Sequence, residues 1–337
     1  MTLDTACAIL TLAENIHHGD DIMKSLTRNG ALAISGICAV LLLIIAVITV
    51  KFFGDNSFDA LPAATLHDNF IVVSKDDSIS TTARQAFVYD IEADCFILLK
   101  GEEKVIYPAS TTKLMTALVA LRYLSPDEII TCGEEVSFIE SGSSIAYVKE
   151  GMQLTVEMLI EGMLIPSGND AAYAIAAAAG RRIANDDSIS SEDAVEEFVA
   201  EMNRYGKEIG LCGSSFCVPD GYYGDEHYST LEDMLIISRL AYENELIMKY
   251  ACMPSHKVTY ESGEQNLWLS TNYCLDSASE YYSPYITGLK TGSLDDYYNI
   301  ICTATDGNDS YIIGLFGLEN KDSRYAQAQK IANELFE

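Results

Sequence analysis

The stretch Tyr107-Pro108-Ala109-Ser110-Thr111-Thr112-Lys113-Leu114-Met115-Thr116 sets the reading of this chain. Pro108 fixes its own φ and has no N–H to donate, so it suits the turn before a helix rather than the interior. Beyond it, Leu114, Met115, Ala117, Leu118, Leu121 and Leu124 recur at helical spacing, which predicts a helix from Thr112 to Leu124. Ser110 and Lys113 lie three positions apart and share a helix face, their side-chain roots roughly 5–6 Å apart. A serine hydroxyl is a poor nucleophile until a positioned base takes its proton, and a lysine amine at this spacing can do that. Taken alone, the stretch also reads as a helix start bearing a solvated lysine.

Two further stretches bear on the choice. Ser167-Gly168-Asn169 follows Pro166 between a predicted helix at Leu154–Leu164 and an alanine-rich one that begins at Asp170 and is expected to end on Gly180. Ser, Gly and Asn are ordinary turn residues, and Asp170 would favour the helix start through its dipole. Thr287-Gly288-Leu289-Lys290-Thr291-Gly292-Ser293 falls on a predicted strand, where a lysine and a glycine bulge also suit a plain sheet edge.

Around these, Ala86–Ile91 and Cys95–Leu99 read as a hairpin turning at Glu92-Ala93-Asp94. Residues 191–209 and 230–243 read as amphipathic helices, the second with Ser229 or Thr230 as cap. Strands are predicted at Tyr285–Thr291, Tyr297–Thr303 and Tyr311–Phe316, and a closing helix at Ser323–Phe336. Two strands, many helices, three strands and a helix predict an α/β domain whose sheet joins both ends of the chain.

Upstream lies a different kind of segment. Residues 31–50, ALAISGICAVLLLIIAVITV, carry no charge, and twelve of them are Leu, Ile or Val. Twenty helical residues span roughly 30 Å, the thickness of a bilayer core, and these aliphatic residues favour insertion by ~4–7 kcal/mol. Lys24 and Arg28 precede the run, Lys51 sits at its far edge, and Asp55 and Asp59 follow. The expectation is a single-pass anchor over 31–53, a short cytoplasmic segment 1–30 and the remainder outside the membrane. A cleaved secretory signal is the rival reading. The apolar core is longer than signals use, four acids precede it, and no A-x-A site follows. Residues 54–82 are expected to be a juxtamembrane linker with a short apolar patch at Phe70–Val73, and 83–337 the catalytic domain.

The net charge of −29 argues against nucleic-acid binding, which needs basic patches. Seven of the nine cysteines lie beyond the apolar run, so at least one is unpaired within the chain; Cys212 and Cys217 are close enough to test as a bridge. No CxxC and no Cys/His grouping has zinc spacing, so neither metal nor cofactor is expected. The five histidines are scattered and read as surface or loop residues.

Ser110-x-x-Lys113, Ser167-x-Asn169 and Lys290-Thr291-Gly292 in this order resemble the penicillin-binding protein and serine β-lactamase superfamily. Within it the chain resembles the low-molecular-mass D-alanyl-D-alanine carboxypeptidases. That likeness lies in Tyr107–Thr116, Pro166–Ala172, Val218-Pro219-Asp220-Gly221, His227-Tyr228-Ser229-Thr230 with Asp233-Met234, and Gly288–Gly292, and covers roughly residues 83–337. The resemblance implies a β-lactamase/transpeptidase-like antiparallel sheet flanked by helices. It implies that Ser110 attacks the D-Ala–D-Ala bond of a peptidoglycan stem peptide, with Lys113 as its base and β-lactams as covalent inhibitors. It further implies that Ser167 relays a proton, Asn169 orients Lys113, and Lys290, Thr291 and Gly292 bind substrate. Ser293 would share the oxyanion hole with Ser110, and Arg324 would assist carboxylate recognition or form a surface salt bridge. Lys113 must be neutral near pH 7, and burial and the Lys290 cation are both expected to lower its pKa.

Departures exist as well. Many relatives carry threonine two residues past the last motif glycine, where this chain has Leu294 followed by Asp295-Asp296. Many also carry a C-terminal β-rich domain with a membrane-binding tail, and here the N-terminal run is expected to be the tether. A serine β-lactamase is one alternative, but no Glu-x-x-x-Asn deacylation loop occurs between 170 and 290. A membrane-tethered receptor for wall peptide or β-lactam is another.

Overall fold

The computed structural model describes residues 65–67, 70–74, 79–101, 105–222, 226–260 and 262–337. Its centre is a seven-stranded sheet in the order β1-β2-β4-β3-β11-β10-β9, with every pairing antiparallel. The strands are β1 (Thr65–His67), β2 (Phe70–Ser74), β3 (Gln85–Asp90), β4 (Cys95–Gly101), β9 (Ile286–Leu294), β10 (Tyr297–Thr305) and β11 (Ser310–Leu318). The N-terminal hairpin thus sits beside the C-terminal strand, and the sheet joins both ends of the chain as the order of elements predicts.

Both faces of this sheet are covered, which is why β3 is almost wholly buried. Ala86 and Val88 point into one layer with Tyr325, Ala328, Ile331 and Ala332 of the last helix, α7 (Lys321–Phe336). Phe87 and Tyr89 point the other way, into a larger core shared with the remaining helices. Those are α1 (Lys113–Tyr123), α2 (Val156–Leu164), α3 (Asn169–Ala184), α4 (Ser191–Glu208), α5 (Leu231–Glu243) and α6 (Glu245–Ala251). In α1 every residue from Lys113 to Ala120 is buried, so over these two turns it is a core helix without a wet face; only its end, at Arg122, reaches solvent. Thr230 caps α5 by accepting from Asp233 N at 3.2 Å, and Asn320 opens α7 in a capping box.

The structure corrects several expectations. Gly180 does not end its helix; α3 runs on to Ala184 and stops at Asn185, whose φ of 52° is the left-handed cap. Gly180 serves packing instead, because a Cβ there would stand 1.8 Å from Ala194 O of α4. The stretch read as linker supplies β1 and β2, with Val72 opposite Lys100 of β4; the apolar patch Phe70–Val73 was its signal. Two small antiparallel ribbons were not foreseen: β5 (Ile129–Thr131) with β6 (Gln153–Thr155), and β7 (Ser255–Thr259) with β8 (Gln265–Leu269). Cys212 and Cys217 are both free thiols, as are the other described cysteines. Residues 1–53, including the apolar run, lie outside the described residues, and no described helix is long and apolar enough to cross a membrane.

Gly180→Ala should force α3 and α4 apart and lower stability by about 1–3 kcal/mol, measured by chemical denaturation.

Candidate active site

Ser110 lies in a tight 3-10 turn, Ala109–Thr112, that leads into α1. The backbone reaches this turn through Ala109 in a left-handed conformation, φ 49°. Three contacts over-determine it. Asn299 of β10, fully buried, donates to Tyr107 O (2.8 Å) and Pro108 O (3.2 Å) while its own amide oxygen accepts from Gly317 N. Gly221 packs so closely that a Cβ would stand 1.9 Å from Ala109 O, and a Cβ on Gly292 would stand 2.7 Å from Pro108 O and 3.3 Å from Ser110 N. Bare glycines on two sides therefore let backbone and strand close around the serine.

Lys113, one turn along, is fully buried beneath Ser110. Its Nζ is 2.8 Å from each of Ser110 Oγ, Asn169 Oδ1 and Asp220 O. Two of these partners, an amide oxygen and a backbone carbonyl, can only accept. A neutral amine has two N–H bonds to satisfy them and one lone pair left for the Ser110 hydroxyl. Burial lowers the Lys113 pKa to about 8, while the Asp220 and Asp170 carboxylates pull it back up. The expected contribution of Lys290 is not among the causes that act on Lys113. Burial, not a neighbouring cation, is the physical reason its amine deprotonates early.

Ser167 also sits in a left-handed conformation, φ 64°, just before α3. Its hydroxyl accepts from Lys290 Nζ at 2.8 Å, and Lys290 also donates to Thr291 O at 3.0 Å. Burial, then the Lys113 and Arg324 cations, hold the Lys290 pKa well below its ordinary value. Gly168 must lack a side chain because a Cβ would meet Ala146 at 2.6 Å. Asn169 donates through Nδ2 to Ser143 Oγ at 2.9 Å while its oxygen faces Lys113. Asp170 is more than a helix-start acid: its buried carboxylate accepts from Ala146 N and Val148 N, each at 2.8 Å. That pins the loop carrying Ser143 and Ser144 against the start of α3.

Arg324 of α7 is 3% exposed, so it is no surface salt bridge. Its Nη1 donates to Gly292 O (3.0 Å) and Ser293 Oγ (2.8 Å). Ser110, Ser167, Thr291, Gly292, Ser293 and Arg324 line one cleft of about 390 Å³ along the free edge of β9, with Lys113, Asn169 and Lys290 directly beneath. All nine candidate residues thus meet in one place. Sequence reasoning gave no role to Ser143, Asp170, Asp220, His227 or Asn299 as positioning groups. For Asn299 a signal existed, a lone amide inside an apolar strand.

His227 lies in a loop, as expected of the histidines, but it is not a solvated one. It is buried, accepts from Cys217 N at Nδ1 (3.1 Å), and so carries its proton on Nε2, toward Thr112 Oγ1 at 2.8 Å. Burial, then the Lys113 charge, lowers its pKa to about 4. Among the described residues no cluster of three His, Cys, Asp or Glu side chains is placed to hold a metal.

A hydroxyl in contact with a buried, readily deprotonated amine, ringed by further donors, defines a serine acyl-transfer site. A family model for D-alanyl-D-alanine carboxypeptidases, peptidase family S11, matches residues 71–319, and the chain belongs to that family. The carboxypeptidase DacF of Bacillus subtilis is 29% identical over 265 residues, 75% of this chain and 62% of its own length. DacA of Escherichia coli K12 is 28% identical over 282 residues, 78% of this chain and 65% of its own. The chain thus spans less than two thirds of the length of these curated relatives. Among solved structures, the DD-transpeptidase of Streptomyces K15 superposes with a TM-score of 0.66 at 26% identity, covering 75% of this chain and 97% of that one. Penicillin-binding protein D2 of Listeria monocytogenes, solved with cefotaxime bound, gives a TM-score of 0.62 at 26% identity over 78% of this chain and all of that one.

The His227 contact carries a pH signature. The unfolded imidazole takes its proton near pH 6.5, the folded one only near 4. The unfolded chain therefore binds the extra proton between those values, and stability falls as pH drops from 6.5 to 4. That loss is up to about 3 kcal/mol for this group, and His227→Gln should lack it in denaturation measured at pH 7 and pH 4.5.

Proposed function

We propose that this chain is a serine D-alanyl-D-alanine carboxypeptidase that removes the terminal D-alanine from peptidoglycan stem peptides. The observation that carries the reading is the Lys113 amine, buried and 2.8 Å from Ser110 Oγ. Membership of the carboxypeptidase family supports the substrate.

The chemistry follows from the contacts. Neutral Lys113 takes the Ser110 proton as Oγ forms a bond to the carbonyl carbon of the D-Ala–D-Ala peptide link. Negative charge develops on the carbonyl oxygen, which the backbone N–H groups of Ser110 and Ser293 receive; such a hole is worth ~3–4 kcal/mol. Ser167, held by Lys290, relays to the departing amine the proton that Lys113 took, the C–N bond breaks, and D-alanine leaves an ester on Ser110 with Lys113 neutral again. Water then gives its proton to Lys113 as it attacks the ester carbonyl, and that proton passes to Ser110 Oγ as the acyl C–O bond breaks. Asn169 keeps Lys113 aimed and offers its remaining N–H to a substrate amide. Lys290, Thr291 and Arg324 bind the terminal carboxylate, and Gly292 leaves room for the peptide along β9. A β-lactam carries an acyl carbon and a carboxylate in a like arrangement and would acylate Ser110 as an inhibitor; the Listeria relative was solved with one bound.

The domain reading belongs to the same proposal. Residues 31–53 serve as a single-pass anchor with 1–30 cytoplasmic, which presents the catalytic domain to the wall outside the cell. What supports it is the uncharged, aliphatic run and the bases that precede it. Residues 54–82 would be the approach to that domain, shortened by the strands they contribute.

Two experiments test the enzyme reading. Ser110→Ala should abolish both D-alanine release and labelling by fluorescent penicillin; labelling that survives refutes the assignment. Since Lys113 acts as the neutral amine and deprotonates near pH 8, the acylation rate should rise about tenfold per unit below 8 and flatten above it. A flat profile from pH 6 to 9 removes Lys113 as the base.

A further inference from the structure

Behind the cleft, bonded to two of its lining residues, lies a hydroxyl that the proposed chemistry does not use. Tyr325 follows Arg324 in α7 and is fully buried. Its OH accepts from Arg324 Nη2 at 2.6 Å and donates to Thr271 O at 2.7 Å. The direction is fixed, because a guanidinium only donates and a carbonyl only accepts. Burial pushes the phenol up to about 12, so it keeps the proton it donates.

Thr271 extends the connection. Its backbone N–H donates to Ile165 O at 3.2 Å, just ahead of the Ser167 turn. Its hydroxyl meets Thr291 Oγ1 at 2.6 Å. When Thr271 is the donor of that pair, Thr291 keeps its own proton for a ligand. One phenol thus ties the Arg324 cation and, through Thr271, the Thr291 hydroxyl into a single frame. None of the hydrogen bonds in this frame runs to Ser110 or Lys113.

The ring is held as firmly as the hydroxyl. Tyr273 stacks on it with centroids 4.8 Å apart, Tyr281 packs at 5.4 Å, and the Arg324 guanidinium stands 4.7 Å from the ring centre. Arg324 is therefore gripped at Nη1 by β9 and at Nη2 by Tyr325, while its buried Nε has no partner. A buried N–H of a cation with no acceptor is costly, and it leaves the guanidinium charge uncompensated beside the cleft, where a carboxylate would balance it.

We propose that the Tyr325 hydroxyl is a positioning residue that sets the preference of this cleft for substrates ending in a free carboxylate. The inference rests on the carboxypeptidase reading. Without the hydroxyl, the guanidinium is held at one edge only, and Thr271 loses the donor that fixes its carbonyl. Both carboxylate-binding groups then loosen together, while the proton transfers at Ser110 keep their geometry. The effect falls on recognition, not on the chemical step.

Tyr325→Phe keeps the ring and its stack, so the chain should fold. Turnover is compared on two peptides that differ only at the end, one with a D-Ala–D-Ala carboxylate and one with the carboxamide. In the variant the preference for carboxylate over carboxamide, as a ratio of kcat/KM, should fall about tenfold, through KM for the carboxylate peptide. In an Arg324→Ala background, adding Tyr325→Phe should lower that ratio by less than it does alone, because only the Thr271–Thr291 arm is left to loosen. An unchanged ratio in the single variant, or equal losses on both peptides, overturns the proposal while the enzyme reading stands. A wild-type chain that releases no D-alanine and takes no penicillin overturns both.

Discussion

A lysine amine without bulk water is the constraint on which the rest of this structure depends. Nothing stabilises a charged ammonium at the depth of Lys113 as well as solvent would, so the fold either neutralises it or surrounds it with oxygen. It does both in part. Three oxygens at hydrogen-bond distance replace the hydration shell, and burial brings the deprotonated form within reach of neutral pH. The elements that supply those oxygens come from three distant parts of the chain: the turn before α1, the start of α3 and the 217–221 segment. Losing any one would leave the buried amine short of a hydrogen-bond partner, so the amine binds the fold together as much as the fold binds the amine.

The cost of holding the serine above that amine appears in the backbone. Ala109 and Ser167 both adopt left-handed conformations that residues with a Cβ avoid. Each persists because its surroundings leave no alternative. Around Ala109 these are the two Asn299 bonds and the close approach of Gly221 and Gly292. Around Ser167 they are the Lys290 bond and the packing of Gly168 against Ala146. The same Ala146 has its N–H on Asp170 and its carbonyl on Trp268 Nε1, so the β8 ribbon, the 143–148 loop and α3 meet at one residue.

What could be read in the sequence divides along this line. The hydrophobic periods of α1, α3 and the three C-terminal strands are local, and they gave the elements and the layering. Ser110 and Lys113 are three apart, so one turn of helix sets their contact. Lys290 and Ser167, by contrast, are joined only by the tertiary fold, and no spacing reveals that pair; the family resemblance put both in one site without pairing them. Gly180 was misread because a glycine that ends a helix and one that lets two helices touch look alike along the chain. The β7–β8 ribbon was missed because Leu267 and Leu269 face solvent, which breaks the alternation that marks a half-buried strand. His227 was hidden for a related reason: a single polar residue in a loop carries no period, and its value lies wholly in what faces it.

The two sides of the cleft are electrically unlike, and that difference argues for the order of events in it. On the Lys113 side, Asp220 and Asp170 lie close enough to raise the amine's pKa, so positive charge there is partly balanced. On the Lys290 side the charges that act on the amine are Lys113 and Arg324, both cations, and among the described residues neither Lys290 nor Arg324 forms an ion pair. An empty cleft therefore carries uncompensated positive potential at one end, in a chain whose net charge is −29. A ligand carboxylate arriving at Arg324 and Lys290 supplies the missing counter-charge, and by linkage it raises the proton affinity of Lys290. That lysine would then hold its proton more firmly beside Ser167 once the substrate is seated. On the proposed chemistry, substrate binding thus keeps charged the lysine that holds Ser167, while the base on the other side of the scissile bond is prepared by burial alone.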